Sequence, residues 1–447
     1  MRRMGSEFRV PVIVAILASA GCAAQNSAAD QSGGAMQPAP VVAGTAAPAC
    51  GNAGLTLPPG FCATVFADSI GAARHLVVAS NGDVFVAMQR ARPNSAVAGI
   101  APGIMGLRDT NRDGVADLRQ RFGAAGNTGI ALHGDYLYVD VGTAIIRYPK
   151  PASALTPTGS PDTVVKGIPY MPGHSSRNFV IAGDGSMYVN VGSQTNACQV
   201  RDRQAASPGI DPCTELERRA GIWRFDANRL GQEFTPAARY ATGIRNATGL
   251  AINPGDGALY AASHGRDNLS SNWPALFTEQ QNAETPAEEL LRVTSGDDFG
   301  WPYCYWDSQK GMRVLAPEYG GNGTTVGLCA SKKRNVSAMP AHWAPNALMF
   351  YHGSMFPARY RGGAFVAFHG SWNRAPLPQG GYNIVFLPFT NNTSNGVWEV
   401  FAAGFVPTNV QPNTAPHRPS GLAQGSDGAL YVTDDVGGRV WRITYGR

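Results

Sequence analysis

A chain of 447 residues with 54 glycines, 32 prolines and only 15% charged residues is poor in long helical patterns and suited to many short strands joined by turns. Its 36 basic and 31 acidic side chains leave a formal net charge of +5, and no basic run with interleaved aromatic residues appears, so we expect no nucleic-acid partner. Any anion that the protein binds is expected to be small.

The first 22 residues have the pattern of a targeting segment. A basic start is followed by an apolar stretch over residues 10–18, too short to span a bilayer, and small residues precede Cys22. This pattern resembles a bacterial lipoprotein signal with Cys22 as the lipidated residue; ordinary secretion with Cys22 removed is the alternative. Residues 23–47 are expected to form a disordered tether, because their composition cannot bury enough apolar surface to fold. Ala23 after the cysteine favours a periplasmic protein held at the outer membrane by its lipid alone.

The six cysteines that follow Cys22 indicate export to an oxidising compartment. Six cysteines allow 15 connectivities. Pairing of sequence neighbours closes short loops and predicts three disulfides: Cys50 with Cys62, Cys198 with Cys213, and Cys304 with Cys329. Buried free thiols are the alternative, although none of the six lies in an apolar periodic strand.

A turn followed by an alternating apolar strand occurs six times along the chain. The six copies are residues 81–86, 134–139, 184–189, 256–260, 362–366 and 427–432. Most are followed by a further alternating strand, at residues 145–148, 221–225, 289–293, 383–386 and 439–443. Six repeats of this kind predict an all-β fold, a six-bladed β-propeller over residues 48–447, because radial repetition leaves no long open edge.

Two intervals between repeats are longer than a bare blade of about 40 to 50 residues needs. The interval from Val189 to Tyr260 is 71 residues and includes the Cys198 to Cys213 loop, and the interval from Tyr260 to Val366 is 106 residues. Insertions of this length are expected to shape the binding face.

Polar residues precede each predicted innermost strand, the strand that lines the channel of a propeller. They are Arg74 and His75, Asn127 and Thr128, His174 with Arg177, Arg245 and Asn246, His342 and Trp343, and His417 and Arg418. Arginines and imidazoles that converge on one channel repel one another unless an anion lies among them. The pattern therefore predicts a bound anion; capping of strands and hydrogen bonding between blades is the alternative.

One loop has oxygen-bearing side chains at the spacing of a structural calcium site. Asp109, Asn111, Asp113 and Asp117 occupy loop positions 1, 3, 5 and 9, with glycine at position 6, as in an EF-hand loop. Position 12 is Gln120 rather than glutamate, so a calcium ion there needs a different ligand set. A plain Asp-Gly turn is the alternative.

Other conspicuous side chains are expected to be structural. Trp301, Trp306, Trp343 and Trp372 are expected to fill space between blades rather than stack on a sugar. Glu284, Glu288 and Glu289 are expected to begin, cap or solvate a strand rather than to form a catalytic pair.

Five motifs, weak singly, are specific in combination. They are residues 173–192, 243–250, 264–268, 298–303 and 369–374. Together they resemble the soluble quinoprotein sugar dehydrogenases, in the sorbosone, aldose or pyranose dehydrogenase branch, over about residues 57–445. The resemblance implies a six-bladed propeller that holds pyrroloquinoline quinone (PQQ), a tricarboxylate, beside a calcium ion.

The same resemblance assigns roles to individual residues. His174 matches the catalytic histidine, and Arg245 with Asn246 match the pair beside the reactive quinone carbonyl. Gly265 and Arg266 match positions whose backbone carbonyls hold the calcium ion.

The basic residues that would meet the cofactor carboxylates depart from the pattern of the glucose-oxidising branch. Arg374 and Arg418 match such positions, but Arg418 is followed by Pro and Ser where that branch has Arg-x-Arg, and Asn373 with Arg374 stand where it has a lysine. Arg74 is predicted from its position to supply the missing charge.

The implied chemistry is oxidation of a sugar at its anomeric or aldehyde carbon. His174 would take the hydroxyl proton, hydride would pass to the quinone, and Arg245 would stabilise the charge that grows on the quinone oxygen. No haem-attachment motif appears, so we expect a separate electron acceptor, a quinone or a cytochrome. A calcium-dependent lactonase or esterase, and a non-catalytic carbohydrate- or protein-binding propeller, are the alternatives.

Overall fold

Short antiparallel strands dominate the computed structural model, which describes residues 51–93, 95–149, 153–170 and 173–446. In chain order the first strand is β1 (Phe61–Ala67). Blade 1 contains β2 (Ala72–Val78), β3 (Val84–Gln89), β4 (Gly103–Arg108) and β5 (Leu118–Phe122). Blade 2 contains β6 (Ile130–His133), β7 (Tyr136–Asp140), β8 (Ile145–Pro149) and β9 (Asp162–Lys166). Blade 3 contains β10 (Phe179–Ile181), β11 (Ser186–Val191), β12 (Gly221–Asp226) and, after the short β13 (Gln232–Glu233) that pairs in parallel with β9, β14 (Arg239–Thr242).

The second half of the chain continues the same order. Blade 4 contains β15 (Gly249–Ile252), β16 (Leu259–Ser263), β17 (Glu288–Val293) and, beyond the insertion hairpin β18 (Cys304–Asp307) and β19 (Met312–Leu315), β20 (Ser337–Met339). Blade 5 contains β21 (Pro345–Phe350), β22 (Ala364–Phe368), β23 (Asn383–Leu387) and β24 (Glu399–Ala402). Blade 6 contains β25 (Pro419–Gln424), β26 (Leu430–Asp434), β27 (Val440–Tyr445) and β1.

The six innermost strands β2, β6, β10, β15, β21 and β25 contact one another in a ring. The ring closes because β1 adds to the outer edge of β27, with Phe61 opposite Tyr445. The all-β, six-bladed propeller predicted from the repeats is confirmed, and each repeat is the second strand of a blade.

The alternation of apolar residues reflects packing of each blade between two neighbours. In β22, Val366 and Phe368 pack with Tyr260 and Leu290 of blade 4, whereas Phe365 lies in a cluster with Trp441 of blade 6. Successive side chains of a strand point to opposite faces, so a blade with two covered faces buries both sets. All five residues of β22 are accordingly buried.

The long insertions contribute short helices and disulfides. The helices are α1 (Leu269–Asn272) and α2 (Glu279–Glu284), with 3-10 turns at Thr214–Glu217, Pro236–Ala238, Pro317–Tyr319, Gly327–Ser331 and Ala358–Tyr360. Two predicted disulfides, Cys198 with Cys213 and Cys304 with Cys329, are present. Cys62 is disulfide-bonded, and its predicted partner Cys50 lies outside the described residues.

The predicted signal segment 1–22, Cys22 and the tether 23–47 also lie outside the described residues. Within the described part of the chain, no helix has both the length and the apolar character needed to cross a bilayer.

Candidate active site

A cavity of about 320 Å³ lies at the end of the channel where the chain enters the inner strands. Sequence reasoning placed polar residues at these entries, and the structure brings a subset of them to this cavity: Arg74, His174, Arg245, Asn246, His342 and Arg418. Arg74 differs in one respect, because it lies inside β2 at an irregularity of the pairing with β3 rather than before the strand. Arg177 is buried beside the cavity and pairs with Asp140, with Nη1 3.1 Å from Oδ1.

His174 has one ring nitrogen bound to protein and the other available to the cavity. Nδ1 lies 2.9 Å from both the carbonyl oxygen and Oγ of Ser193. Since that hydroxyl already donates to the carbonyl of Thr195 at 2.7 Å, both groups accept from the imidazole, so Nδ1 carries the proton. Nε2 then carries a lone pair that has no hydrogen-bond partner among the described residues, and the residue lines the cavity.

The close approach of His174 requires glycine at position 192. A Cβ atom there would lie 2.6 Å from Cβ of His174 and 2.8 Å from Oδ1 of Asn246. Any side chain at this position would therefore displace the imidazole, the amide or both.

The surroundings of His174 keep it uncharged. Burial and the positive charge of Arg245 hold the pKa of His174 well below its usual value near 6.5. A neutral imidazole with a free Nε2 is a proton acceptor throughout the neutral range.

Arg245 is held by a network that the two insertions provide. Nε donates to the carbonyl of Asn196 at 3.1 Å, Nη1 to the carbonyl of Gly265 at 2.8 Å, and Nη2 to Asp267 at 3.1 Å. Asp267 also accepts from Arg203, at 3.0 Å. The expectation that long insertions shape the binding face is met here, since Asn196 and Arg203 belong to one insertion and Gly265 and Asp267 to the other.

His342 also contacts Asp267, the carboxylate that binds Arg245. Burial lowers the pKa of His342, but the Asp267 carboxylate 3.5 Å from Nδ1 outweighs that effect, and the pKa lies above its usual value. Its Nε2 donates to the carbonyl of Asn282. His342 thus has both ring nitrogens directed at acceptors, unlike His174.

A second carboxylate, Asp435, opposes the remaining channel arginines. Arg74 Nη1 lies 2.8 Å from Oδ2, and His369 Nε2 lies 2.8 Å from Oδ1. Although burial alone would raise the pKa of Asp435, His369, Arg74 and Arg418 hold that pKa below its usual range. Burial lowers the pKa of His369 to about 3, so this imidazole donates as a neutral group.

The cavity keeps an excess of positive charge after this pairing. Among the described residues that line it, five arginines (Arg74, Arg92, Arg203, Arg245 and Arg418) face three carboxylates (Asp267, Glu288 and Asp435). These carboxylates show that the expectation of arginines opposed only by a bound anion is wrong in part. Nη2 of Arg74 and Nη1 of Arg418 have no partner among the described residues and are available to an anion.

One of these carboxylates, Asp435, could have been found from the strand order. The second strand of each blade runs antiparallel to the first, so its end meets the entry of the inner strand. Residues just after or at the ends of second strands accordingly reach this end of the channel: Gln89, Asp140, Ser193, His264, His369 and Asp435. Asp267 lies in a motif used for the family resemblance but was given no role there.

Among the described residues Glu288 has no cationic hydrogen-bond partner, unlike the other two carboxylates. It is buried at the start of β17, and its two oxygens accept from the backbone N–H groups of Gly265 at 2.7 Å and Ala344 at 3.0 Å. Burial raises the pKa of Glu288 to about 7. The expectation that Glu288 only caps or solvates its strand is wrong, because its carboxyl group lines the cavity.

Stability is expected to fall between pH 5 and pH 8 on account of Glu288. A carboxyl group whose pKa is raised to about 7 binds a proton in the folded state at pH values where the unfolded chain has lost it, so its contribution decreases as pH rises and levels off above pH 7. The change amounts to about 3 kcal/mol. Urea unfolding at both pH values measures it, and Glu288→Gln should remove most of the difference; an equal decline in wild type and variant would contradict the assignment.

The remaining residues assigned by the family resemblance differ in whether they line the cavity. Arg374 does not line the cavity; its Nη1 donates to the carbonyl of Ala341 at 2.8 Å, and the neighbouring Asn373 lines the cavity instead. The side chain of Arg266 pairs with buried Glu318. Gly265 lines the cavity, and its carbonyl oxygen accepts one hydrogen bond from Arg245, which leaves one lone pair.

The oxygens of the Asp109 loop are occupied by the loop itself. Asp109 accepts from the N–H groups of Arg112 and Gly114, and Asp117 accepts from the N–H and hydroxyl groups of Thr110. Asp113 accepts from the N–H of Val115, and Asn111 from that of Asp113. In the described part of the chain no group of three or more His, Cys, Asp or Glu side chains is arranged to hold a metal ion. Calcium at this loop stays a prediction.

The tryptophans divide into structural and exposed residues. Trp301 and Trp306 are buried, and Trp343 packs against Phe368. Trp372 differs because 48% of its surface is exposed and it lines the cavity.

Comparisons with known proteins identify relatives of this chain. The chain shares 28% identity over 294 residues with the pyrroloquinoline quinone-dependent pyranose dehydrogenase of Coprinopsis cinerea, an alignment that covers 57% of this chain. The chain spans less than two thirds of its curated relatives: 37% of that dehydrogenase and 61% of an uncharacterized protein of Borreliella burgdorferi.

Two solved structures have the same fold. The holo form of the PQQ domain of the Coprinopsis cinerea pyranose dehydrogenase matches with a TM-score of 0.68 and 20% identity, over 89% of this chain and 98% of that one. The calcium structure of the Trichoderma reesei Carbohydrate-Active Enzymes Family AA12 protein matches with a TM-score of 0.71 and 18% identity, over 90% and 99%.

A family model described as TrAA12-like matches residues 55–446, which includes every strand of the propeller. The resemblance to the soluble PQQ-dependent sugar dehydrogenases drawn from the five motifs is confirmed. The chain belongs to the TrAA12-like family.

Proposed function

We propose that the protein is a PQQ-dependent dehydrogenase that oxidises a sugar at its anomeric or aldehyde carbon. The observation that carries this proposal is the position of His174, a neutral imidazole with a free Nε2, in a cavity with an excess of positive charge and unpaired guanidinium N–H groups. A base beside an anion site suits removal of a proton and a hydride from one substrate. The PQQ dependence of the Coprinopsis cinerea relative supports the choice of cofactor.

The described residues fit a tricarboxylate cofactor. Arg74 and Arg418 would bind its carboxylates through the nitrogens that have no protein partner. Arg245 and Asn246 would bind beside the reactive carbonyl, where the guanidinium stabilises negative charge. Arg374 is an unsuitable ligand in this arrangement, because it does not line the cavity and its Nη1 and Nε donate to the carbonyls of Ala341 and Pro378.

A calcium ion in this site would depend on backbone oxygens. Gly265 offers a carbonyl at the cavity, and oxygen atoms are the ligands that calcium prefers. Support for calcium comes from the family, since a calcium structure of the Trichoderma reesei AA12 protein exists.

The residues of the chain perform the proton transfer and the positioning. Nε2 of His174 takes the proton of the sugar hydroxyl, and the Ser193 carbonyl, which accepts from Nδ1, stabilises the imidazolium that forms. When bound, PQQ supplies the acceptor for the hydride that leaves the same carbon, so a C=O bond replaces the C–O–H group. Trp372 offers an exposed ring at the cavity on which the apolar face of a sugar can pack.

A calcium-dependent lactonase is less well supported by the same cavity. Such a site needs carboxylates free to bind the metal, whereas Asp267 and Asp435 are each hydrogen-bonded to arginine. We also propose export to the periplasm, a lipid anchor at Cys22 and electron transfer to a separate quinone or cytochrome; mass spectrometry of the membrane-extracted protein tests the lipid.

Reconstitution tests the proposed function. Purified cofactor-free protein with added PQQ and calcium is expected to show a PQQ absorbance change and sugar-dependent reduction of an artificial dye across a panel of aldoses. Arg418→Lys keeps the charge but loses the planar pair of donors, so it should weaken PQQ binding at least about tenfold. No absorbance change and no dye reduction with wild-type protein would reject the proposal.

A further inference from the structure

Among the Phe, Tyr and Trp side chains of the described residues, only two are exposed, and both line cavities at the end of the channel that holds His174. Trp372 is 48% exposed in the cavity described above, and Tyr170 is 49% exposed in a neighbouring one. An exposed ring does not contribute the free energy of burial to folding. The position of both rings at one opening therefore indicates a role in binding.

The second cavity, here named the side groove, has a volume of about 400 Å³. It is lined by Gln89, Asn127, Gly142, Thr143, Tyr170 and Ser175, among others. Gln89 also lines the first cavity, and His174 and Ser176, on either side of Ser175 in sequence, do so as well. The two cavities therefore adjoin, and one ligand can extend from His174 into the side groove.

The segment before Tyr170 is held by hydrogen bonds from a buried arginine. Buried Arg177 pairs with Asp140, and its terminal nitrogens donate to the carbonyl of Gly142 and, at 2.7 Å, to that of Pro169. Gly142 has a φ of +93°, and a Cβ atom there would lie 3.4 Å from the Tyr170 ring. The backbone next to Tyr170 is therefore anchored before a ligand arrives, which lowers the conformational entropy lost on binding.

The rest of the side groove offers uncharged hydrogen-bonding groups. Oε1 of Gln89, Oδ1 of Asn127 and the hydroxyl of Thr143 have no hydrogen-bond partner among the described residues. An exposed aromatic face beside free amide and hydroxyl groups is suited to a pyranose, which has apolar C–H faces and an equatorial belt of hydroxyls.

We propose that the side groove is a second sugar subsite with Tyr170 as its platform, and that the preferred substrate is an oligosaccharide of at least two rings. The ring that is oxidised lies at His174 beside Trp372, and the next ring lies on Tyr170. This inference rests on the proposed sugar oxidation and names its substrate class.

A ladder of matched sugars tests the subsite: glucose with maltose and cellobiose, and xylose with xylobiose. With the PQQ-loaded enzyme, kcat/KM for the best disaccharide is expected to be about tenfold above that for its monosaccharide. Tyr170→Ala should lower kcat/KM for the disaccharide about tenfold more than for the monosaccharide. Tyr170→Phe, the matched control, keeps the ring and should preserve the ratio.

Calorimetry on the cofactor-free protein gives a readout independent of turnover. Disaccharide binding is expected to be about tenfold weaker in Tyr170→Ala than in wild type. Equal kcat/KM for both members of every sugar pair, or a ratio unchanged by Tyr170→Ala, would overturn the subsite. Absence of dye reduction with every sugar would overturn the proposed function instead. In that case calorimetry alone would test the subsite. Undetectable disaccharide binding, or binding that Tyr170→Ala leaves unchanged, would overturn the subsite.

Discussion

Replacing His174 with glutamine is expected to lower kcat of the reconstituted enzyme by about a thousandfold, because a general base contributes about 10² to 10⁴ in rate. Glutamine retains a polar side chain but offers no basic nitrogen where Nε2 of His174 is free. PQQ affinity should change less than about threefold, since the imidazole is neutral and brings no charge to the anion site. Dye-reduction kinetics and titration of PQQ absorbance measure the two quantities separately.

A matched control for this experiment is Ser193→Ala. It removes the hydroxyl that accepts from Nδ1 but keeps the carbonyl at 2.9 Å, so the same tautomer persists and kcat should fall by less than about tenfold. The low pKa of His174 further predicts that kcat/KM holds its value as pH falls below 6.5, because the base stays unprotonated there. Near-normal turnover by His174→Gln would refute its role as the base.

Asp435→Asn is expected to cost about 3 to 5 kcal/mol of unfolding free energy, because removal of one partner from a buried ion pair leaves the other charge uncompensated. Asp435 and Arg74 have side chains only 5% and 4% exposed, and the asparagine would also leave Arg418 without a nearby opposing charge. Urea unfolding of the cofactor-free protein at pH 7 measures the loss.

Asp68→Asn is the matched control for Asp435→Asn. Asp68 also pairs with an arginine, Arg439, but its side chain is 41% exposed, so its loss should cost no more than about 1 kcal/mol. The effect of Asp435 should also depend on pH: its lowered pKa stabilises the fold fully above about pH 4, and that contribution is lost as pH falls further. Equal losses in the two variants at pH 7 would show that Asp435 is not the counter-charge of the channel arginines.

The fold was predictable because its signal repeats. Each second strand carries a turn followed by alternation of period two, and a frame such as residues 427–432 can be recognised without knowing what it packs against. The disulfides Cys198–Cys213 and Cys304–Cys329 were predictable because each joins two cysteines that are neighbours in sequence and closes a short loop. The family motifs brought His174, Arg245 and Asn246 together correctly at one cavity.

The pairing of arginines with carboxylates in the channel was harder to predict from the sequence. Arg245 and Arg418 lie just before inner strands, where the repeat pattern locates them. Asp435 instead follows a second strand, Asp267 lies in an insertion without a repeat, and Glu288 begins the third strand of blade 4. The direction of an arginine side chain was also not predictable from a motif. The motif around Arg374 suggested a cofactor ligand, but its guanidinium donates to backbone carbonyls.

The sequence by itself determined the number of blades, the family and a subset of the residues at the cavity, because these depend on local periodicity and on motifs that are contiguous in the chain. Only the tertiary structure decided which arginines are already paired, which ring nitrogen of His174 is free, and that Tyr170 and Trp372 stand exposed at adjoining cavities. Those properties arise between residues far apart in sequence, such as Arg74 and Asp435, and side-chain pairing and burial are defined only once the blades have closed into a ring.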